Sequence, residues 1–190
     1  MVLGVGVGDP IDDEFAPFGE PTDRNVMAAM LDESLEALNL IFSGEPVTYH
    51  GQYVTIDNIE ILPTPVKHPR VPIWVGGGWP GKPSMRRAAR WDGAIPIMLP
   101  DPSSSPSPDF VREALGFIHG LRADACIDDQ PFDLVLGGTT KPGAAAVDRV
   151  GPLAEAGVTF WDERVPYSPE PVDADATRRR IDVAGQPGAP

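Results

Sequence analysis

The fold is decided by the stretch Val71–Met98, which has the sequence VPIWVGGGWPGKPSMRRAARWDGAIPIM. Val71–Val75 is a β-branched and aromatic run that predicts a strand, and three glycines follow it directly. Ser84–Trp91 has the apolar spacing of a helix, and Ala94–Met98 predicts a second buried strand. A strand, a glycine turn, a helix and a second strand within about 30 residues are typical of one βαβ unit.

The predicted glycine turn has two interpretations. Backbone N–H groups left free at a strand end, beside a helix N-terminus, attract an anion, so the turn is a candidate phosphate cradle. A tight βα turn also needs glycine for positive φ angles and then binds nothing. The basic side chains that follow, which are either the local charge of a phosphate site or a solvated helix face, are Arg86, Arg87 and Arg90. The residues alone leave both interpretations open.

The composition is that of an acidic globular protein. A chain of 190 residues usually forms one domain, and a net charge of −13 argues against binding to nucleic acids or anionic membranes. The single cysteine, Cys126, excludes an internal disulfide and a thiolate metal cluster, and the isolated histidines predict no metal site. No apolar run approaches the ~18 residues that cross a bilayer, and no signal-peptide pattern is found, so a cytoplasmic location is expected.

The rest of the chain alternates between predicted strands and helices. Strands are predicted to begin near residues 2, 71, 94, 132 and 158, which favours a parallel sheet with helices outside it. The candidates are an open doubly wound sheet and a (β/α)8 barrel, although five strands are too few to close an eight-stranded barrel. Residues 45–62 differ, because two β-rich runs flank His50-Gly51-Gln52, and they predict a small antiparallel hairpin excursion.

Four stretches carry a family resemblance. They are LGVGVG with the EFAPFGEPTDR that follows it, LDESLEALNLIFSGEPVTYHGQYV, PRVPIWVGGGWPGKPSMRRAARWDGAIPI, and the strand–helix–strand pattern from Phe132 to Trp161. Together they cover most of residues 2–163, and the chain resembles the luciferase-like flavin-dependent monooxygenases. That family includes bacterial luciferase, alkanesulfonate monooxygenase and deazaflavin-dependent reductases, and this chain is most similar to its LLM class flavin-dependent oxidoreductases.

The resemblance implies an α/β fold, a partial (β/α)8 TIM-type barrel covering about the last five βα units. Val2–Val7 would be the fourth barrel strand and Val158–Trp161 the eighth, so the first three βα units have no counterpart. We therefore expect a truncated product, with an incomplete barrel domain over residues 1–165 and a C-terminal helix and partly disordered Pro/Gly tail over 166–190. Its two open sheet edges would need a second copy or a complementing fragment.

The resemblance also implies a function. It predicts a flavin-dependent oxidoreductase or monooxygenase that uses reduced FMN, or 8-hydroxy-5-deazaflavin, on a small organic substrate, with a partner flavin reductase supplying the reduced cofactor. Reduced FMN would react with oxygen, whereas a deazaflavin would transfer hydride. The alternative is a truncated non-catalytic remnant or one half of a split barrel.

The cofactor-binding residues that the resemblance implies follow two predicted strands. Gly76, Gly77 and Gly78 would hold the cofactor phosphate, and Trp79 would lie against the ribityl chain or the ring, or else only plug the barrel mouth. The turn formed by Gly137, Gly138, Thr139 and Thr140 would line the same cavity, or is a plain turn at the end of a strand.

A third group of candidate residues follows the first strand. Deazaflavin-dependent relatives place G-x-G and then a carboxylate there for proton transfer, which corresponds to Gly6, Gly8 and Asp9, with Glu14 close by. A carboxyl group in that role must keep its proton at neutral pH. The alternative is that both acidic residues belong to a solvated loop.

Overall fold

The computed structural model describes residues 1–99, 101, 105–140, 144–164, 175 and 178. The elements of its main sheet are the strands β1 (Leu3–Val5), β4 (Ile73–Trp79), β5 (Gly93–Met98), β6 (Asp133–Gly138) and β7 (Phe160–Glu163). A separate antiparallel pair consists of β2 (Val47–His50) and β3 (Thr55–Ile59). The helices are α1 (Ile11–Glu14), α2 (Arg24–Ile41), α3 (Lys82–Ala88), α4 (Pro108–Asp124) and α5 (Ala144–Ala156).

The main sheet winds in one direction. Its order is β1-β4-β5-β6-β7, every pairing is parallel, and α3, α4 and α5 connect successive strands. A doubly wound sheet reverses its strand order near the middle, whereas a (β/α)8 barrel does not. The α/β class, the five-stranded partial barrel and the hairpin excursion are therefore confirmed, and β1 and β7 are the two outer strands of this half-barrel.

The predicted glycine turn is wrong, because β4 continues through all three glycines to Trp79. Residues 74–79 pair with Gly93–Met98 in unbroken register. Glycine is a poor strand former on propensity alone, but a neighbouring strand that supplies six successive partners overrides that preference. Helix α3 begins two residues earlier than predicted, at Lys82 rather than Ser84.

The two faces of the sheet differ in what covers them. Alternate side chains of β4, namely Ile73, Val75 and Trp79, are buried in the core beneath α3 and α4. The intervening residues Trp74, Gly76 and Gly78 point to the opposite side. We call this opposite side, which would line the interior of a closed barrel, the lumen face.

The β2–β3 hairpin is fixed to α2 by one carboxylate. Glu33 of α2 accepts hydrogen bonds from the backbone N–H groups of Tyr53 at 2.7 Å, Gln52 at 2.8 Å and Val54 at 3.1 Å. These donors, the Tyr53 N–H first among them, hold the pKa of Glu33 below its usual value. The hairpin loop therefore depends on the ionised form of one helix side chain.

A buried arginine joins α4 to the segments on either side of it. Arg122 is only 2% exposed, and its guanidinium donates to the carbonyls of Ala89, Trp91, Ile127 and Gln130 at 2.9–3.2 Å. It also lies 4.7 Å from the ring centre of Phe132, and its burial lowers its pKa. The charge is satisfied by carbonyl dipoles, so this side chain ties the entrance of β5 to the entrance of β6.

The contribution of Glu33 is expected to depend on pH. Because the pKa of Glu33 is lowered in the folded protein, its carboxylate stabilises the fold above the unfolded-state value of about 4.3. That contribution is lost as the pH falls through the lowered folded-state pKa. Urea denaturation should give Glu33→Gln a lower free energy of unfolding than wild type at neutral pH, and the difference should vanish in acid. The exposed Glu60→Gln is the control, and a pH-independent difference would contradict this account.

Replacing Arg122 by methionine is expected to lower the free energy of unfolding by roughly 3 kcal/mol, because the carbonyls of four residues, two of them buried, lose a charged donor. Arg112→Met on the same helix removes an exposed arginine and should cost under about 0.5 kcal/mol. Chemical denaturation of both variants measures the difference. Similar small losses for the two would show that Arg122 is not a structural tie.

Candidate functional site

The carboxyl ends of β1, β4 and β6 bring the predicted cofactor residues to one edge of the sheet. Gly6 and Gly8 follow β1, residues 76–78 lie just before the last residue of β4, and Gly137 and Gly138 end β6. Parallel strands place their carboxyl ends together, and in barrels of this type the active site lies at that end. Gly6 contacts β4 directly, since a Cβ at Gly6 would lie 3.6 Å from the carbonyl oxygen of Gly76.

The three glycines of β4 do not share one role. A Cβ at Gly77 would lie 2.2 Å from the Cβ of Ser84, so this glycine lets α3 approach the sheet. A Cβ at Gly76 would meet nothing closer than the carbonyl oxygen of Val5 at 3.5 Å. Gly76 therefore presents backbone without a side chain on the lumen face, where a Cβ would make only ordinary van der Waals contacts, whereas the side chain of Leu99 covers Gly78.

The backbone amides of these glycines also point in different directions. The carbonyls of Ile73 and Trp79 accept from N–H groups at either end of β5, so alternate residues between them, Gly77 included, face β5. Gly76 and Gly78 face β1, where the described ladder ends at the Val5–Val75 pair. The Gly78 N–H lies beyond the last described pair of that ladder.

The arginines after the glycines are turned away from this edge. Arg87 is nearly buried and bonds Asp32 of α2 through Nε at 2.6 Å and Nη2 at 2.9 Å. Arg90 donates to Glu36 of α2 at 3.0 Å, and the Arg86 guanidinium lies 5.8 Å from the ring centre of Phe117. These side chains bind α3 to its neighbouring helices, and the predicted local charge for a phosphate is not found there.

Trp79 belongs to the core. It is 7% exposed, and its ring centroid lies 5.4 Å from that of Phe117 on α4. The side chain is on the helix-covered face, so contact with a ligand in the lumen would require it to leave the core. The alternation of side chains along β4 places it there, because Ile73 and Val75 share its face.

The candidate carboxylates lie on the segment that follows β1. Gly8 has a φ of 95°, and a Cβ there would lie 2.3 Å from the ring of Phe15, so glycine is required. Asp9 is exposed and pairs with Arg24 at 2.7 Å, and Glu14 is exposed on α1. The structure places both near the carboxyl edge of β1, and their catalytic role stays a prediction.

The end of β6 is closed by residues of β7. Thr139 donates its hydroxyl to the carbonyl of Arg164 at 2.8 Å. The Glu163 carboxylate accepts from the N–H and hydroxyl of Thr140 at 2.7 and 2.8 Å, and from Nε1 of Trp161 at 2.9 Å. The turn predicted to line the cofactor cavity therefore binds a carboxylate of the chain itself.

Two cavities formed by described residues lie outside the lumen. One of about 480 Å³ lies outside the half-barrel, between α2, β2 and Trp91, far from the carboxyl edge. The other, of about 350 Å³, lies between the ends of β4 and β5 and the start of α4. In the described part of the chain, no three His, Cys, Asp or Glu side chains are placed to hold a metal ion, and no helix could span a membrane.

Comparison with known proteins identifies the family. A family model described as luciferase-like monooxygenase matches residues 1–136. The chain belongs to the luciferase-like monooxygenase family. Curated relatives in this comparison are uncharacterized proteins of Mycobacterium bovis and Mycobacterium tuberculosis, 29% identical over 182 residues. The match covers 94% of this chain and 57% of each relative, so the luciferase-like chain spans little more than half their length.

Solved structures share the luciferase-like fold at low sequence identity. A coenzyme F420-dependent tetrahydromethanopterin reductase from Methanopyrus kandleri is similar with a TM-score of 0.68 and 15% identity, over 89% of this chain and 69% of that one. An F420-dependent secondary alcohol dehydrogenase, solved with an F420–acetone adduct, has a TM-score of 0.66 and 13% identity, over 85% of this chain and 63% of that one. The monooxygenase RslO1 from Streptomyces bottropensis is similar with a TM-score of 0.64 and 17% identity, over 95% of this chain and 66% of that one.

Gly77→Ala is expected to destabilise this luciferase-like sheet by about 2 kcal/mol, because the new methyl group overlaps Ser84. Gly76→Ala is the matched control and should be neutral or slightly stabilising, since its Cβ meets only ordinary contacts. Thermal and urea denaturation measure both. Adding Ser84→Gly to Gly77→Ala should recover part of the loss, and equal effects of the two alanines would contradict the assigned strand.

Proposed function

We propose that this chain forms the cofactor-binding edge of a flavin- or deazaflavin-dependent oxidoreductase acting on a small organic substrate. The observation that carries the proposal is the bare lumen face at the carboxyl ends of β1 and β4. There Gly6 and Gly76 present backbone without side chains, and Gly78 lies one step further along the strand. Membership of the luciferase-like family and the F420-dependent and monooxygenase structures of the same fold support it.

The residues at this edge fit a flat, phosphate-bearing cofactor. A side chain at Gly6 or Gly76 would extend into the space that such a group needs, and at present the nearest heavy atoms to those Cβ positions are backbone oxygens at 3.5–3.6 Å. The N–H of Gly78 is the donor we assign to the phosphate. Gly77 and Trp79 act indirectly, by packing α3 and α4 behind the strand.

The cofactor would supply the redox chemistry, as hydride transfer from a deazaflavin or oxygen activation by reduced FMN. The chain would bind it, orient it on the lumen face and exclude water. Asp9 is the residue we assign to proton transfer, with Glu14 as the second candidate. Because Asp9 Oδ1 is bound to Arg24 at 2.7 Å, that role requires the ion pair to separate when substrate binds.

The second candidate function is a non-catalytic remnant or one half of a split barrel. The observation favouring it is the open half-barrel, in which Ile97 and Phe160 are 44% and 49% exposed. A second copy or a complementing fragment would cover them. A partner reductase and a cytoplasmic location belong to the first proposal, as the source of reduced cofactor and the place where it is supplied.

Cofactor binding is tested by titrating the chain separately with FMN and with F420 and following fluorescence quenching. We expect saturable binding of one of them, and Gly76→Ala should weaken it roughly tenfold by occupying the bare face. Gly116→Ala on α4, where no atom lies within 4 Å of the new Cβ, is the matched control and should bind like wild type.

The same titration separates the two candidate functions. Absence of quenching by either cofactor, in a chain that denatures cooperatively, would overturn the first proposal and favour the remnant. Binding that Gly76→Ala and Gly116→Ala weaken equally would place the cofactor elsewhere on the molecule.

A further inference from the structure

We propose that the carboxyl ends of β6 and β7 form a binding site for a phosphate-type oxyanion, which Glu163 occupies as a displaceable internal ligand. The site lies on the helix-covered side of the sheet, apart from the bare lumen face. It is independent of the flavin proposal, because it is argued from a different set of residues and tested without a cofactor.

The donors of this site already bind an anion. The N–H and hydroxyl of Thr140 and the indole N–H of Trp161 all donate to the Glu163 carboxylate, at 2.7, 2.8 and 2.9 Å. Three donors that converge on one carboxylate have the geometry that also binds phosphate oxygens. The two threonine donors lie in a turn and the indole lies on the neighbouring strand, so the β6–β7 pairing positions them together.

Arg149 of α5 supplies positive charge beside these donors. Its Nη2 lies 4.0 Å from the position of a Cβ on Gly138, and the Trp161 ring lies 2.9 Å from that same position, so both side chains border Gly138. The Nε of Arg149 is buried without a partner, and no hydrogen bond or ion pair joins this side chain to another residue that the structure describes. A guanidinium in this state has unused capacity to bind an anion.

The geometry favours a tetrahedral anion over the resident carboxylate. Glu163 accepts from Thr140 and Trp161, and no ion pair between Glu163 and Arg149 is found among the described contacts. A planar carboxylate presents two oxygens on one side, whereas a phosphate presents further oxygens toward a second group of donors. A phosphate would therefore bridge Thr140 and Trp161 to Arg149, with Glu163 turned out to solvent.

Two other charged groups that the structure describes at this edge, Asp162 and Arg164, are paired with each other. Arg164 donates to Asp162 at 2.7 Å, and its guanidinium lies over Gly137 on the lumen side of the sheet. Asp162 would repel an anion on that side. Because Arg164 and Asp162 are paired on the lumen side, Arg149 is the cation that we assign to the helix-covered side. An anion that binds there must compete with the Glu163 carboxylate.

The experiment titrates the full chain with inorganic phosphate by calorimetry and follows the indole N–H signal of Trp161 by NMR. We expect weak binding by wild type, about tenfold tighter binding by Glu163→Gln, and about tenfold weaker binding by Arg149→Gln. Glu155→Gln, an exposed change of equal charge on α5, is the matched control and should leave phosphate affinity unchanged. Acetate should bind more weakly than phosphate to Glu163→Gln.

The proposal is overturned if Glu163→Gln binds phosphate no more tightly than Glu155→Gln, or if phosphate leaves the Trp161 indole signal unmoved. Preference for acetate over phosphate would overturn the assigned ligand class. Arg149→Lys keeps the charge and should retain more affinity than Arg149→Gln. If neither arginine variant folds, the comparison of Glu163→Gln with Glu155→Gln decides the question.

Discussion

The register between β4 and β5 is the constraint on which the rest of the structure depends. It runs from Trp74 paired with Gly93 to Trp79 paired with Met98, so the glycine segment is strand and its faces alternate. Gly77 accommodates α3, Gly76 leaves the backbone without a side chain on the lumen face, and Leu99 covers Gly78. Had the strand ended at Val75, all three would have shared a single loop and no such division of roles would exist.

A few polar side chains hold the helices against this sheet. Arg122 donates to four carbonyls from two segments, and Arg87 joins α3 to Asp32 of α2 through two hydrogen bonds. Glu33 does the same for the hairpin through three backbone donors. Among the described residues of this chain, which has a net charge of −13, several arginines are committed to such ties, whereas the half-buried Arg149 has a buried Nε without a hydrogen-bond partner.

Strong local patterns in the sequence predicted the outline of the fold. The β-branched runs, the helical periodicity and the hairpin turn predicted the order of elements. Asp23, a residue type that favours the N-cap, accepts from two N–H groups at the start of α2. The extension of β4 through the glycines could not be predicted, because it depends on tertiary pairing with β5 and glycine carries no strand pattern. One sequence feature indicates that Arg122 is buried, because it follows Ile118 by four residues on the buried stripe of α4. No sequence feature indicates that Glu33 binds the hairpin.

Amide hydrogen exchange with isotope-labelled glycine tests the placement of the glycines in β4 most directly. The ladder directs the Gly77 N–H into the pairing with β5, whereas the Gly78 N–H lies beyond the last described pair with β1. We expect strong protection at Gly77 and fast exchange at Gly78. Fast exchange at Gly76, Gly77 and Gly78 alike would mean a turn at this position, and would contradict both the strand and the lumen face built on it.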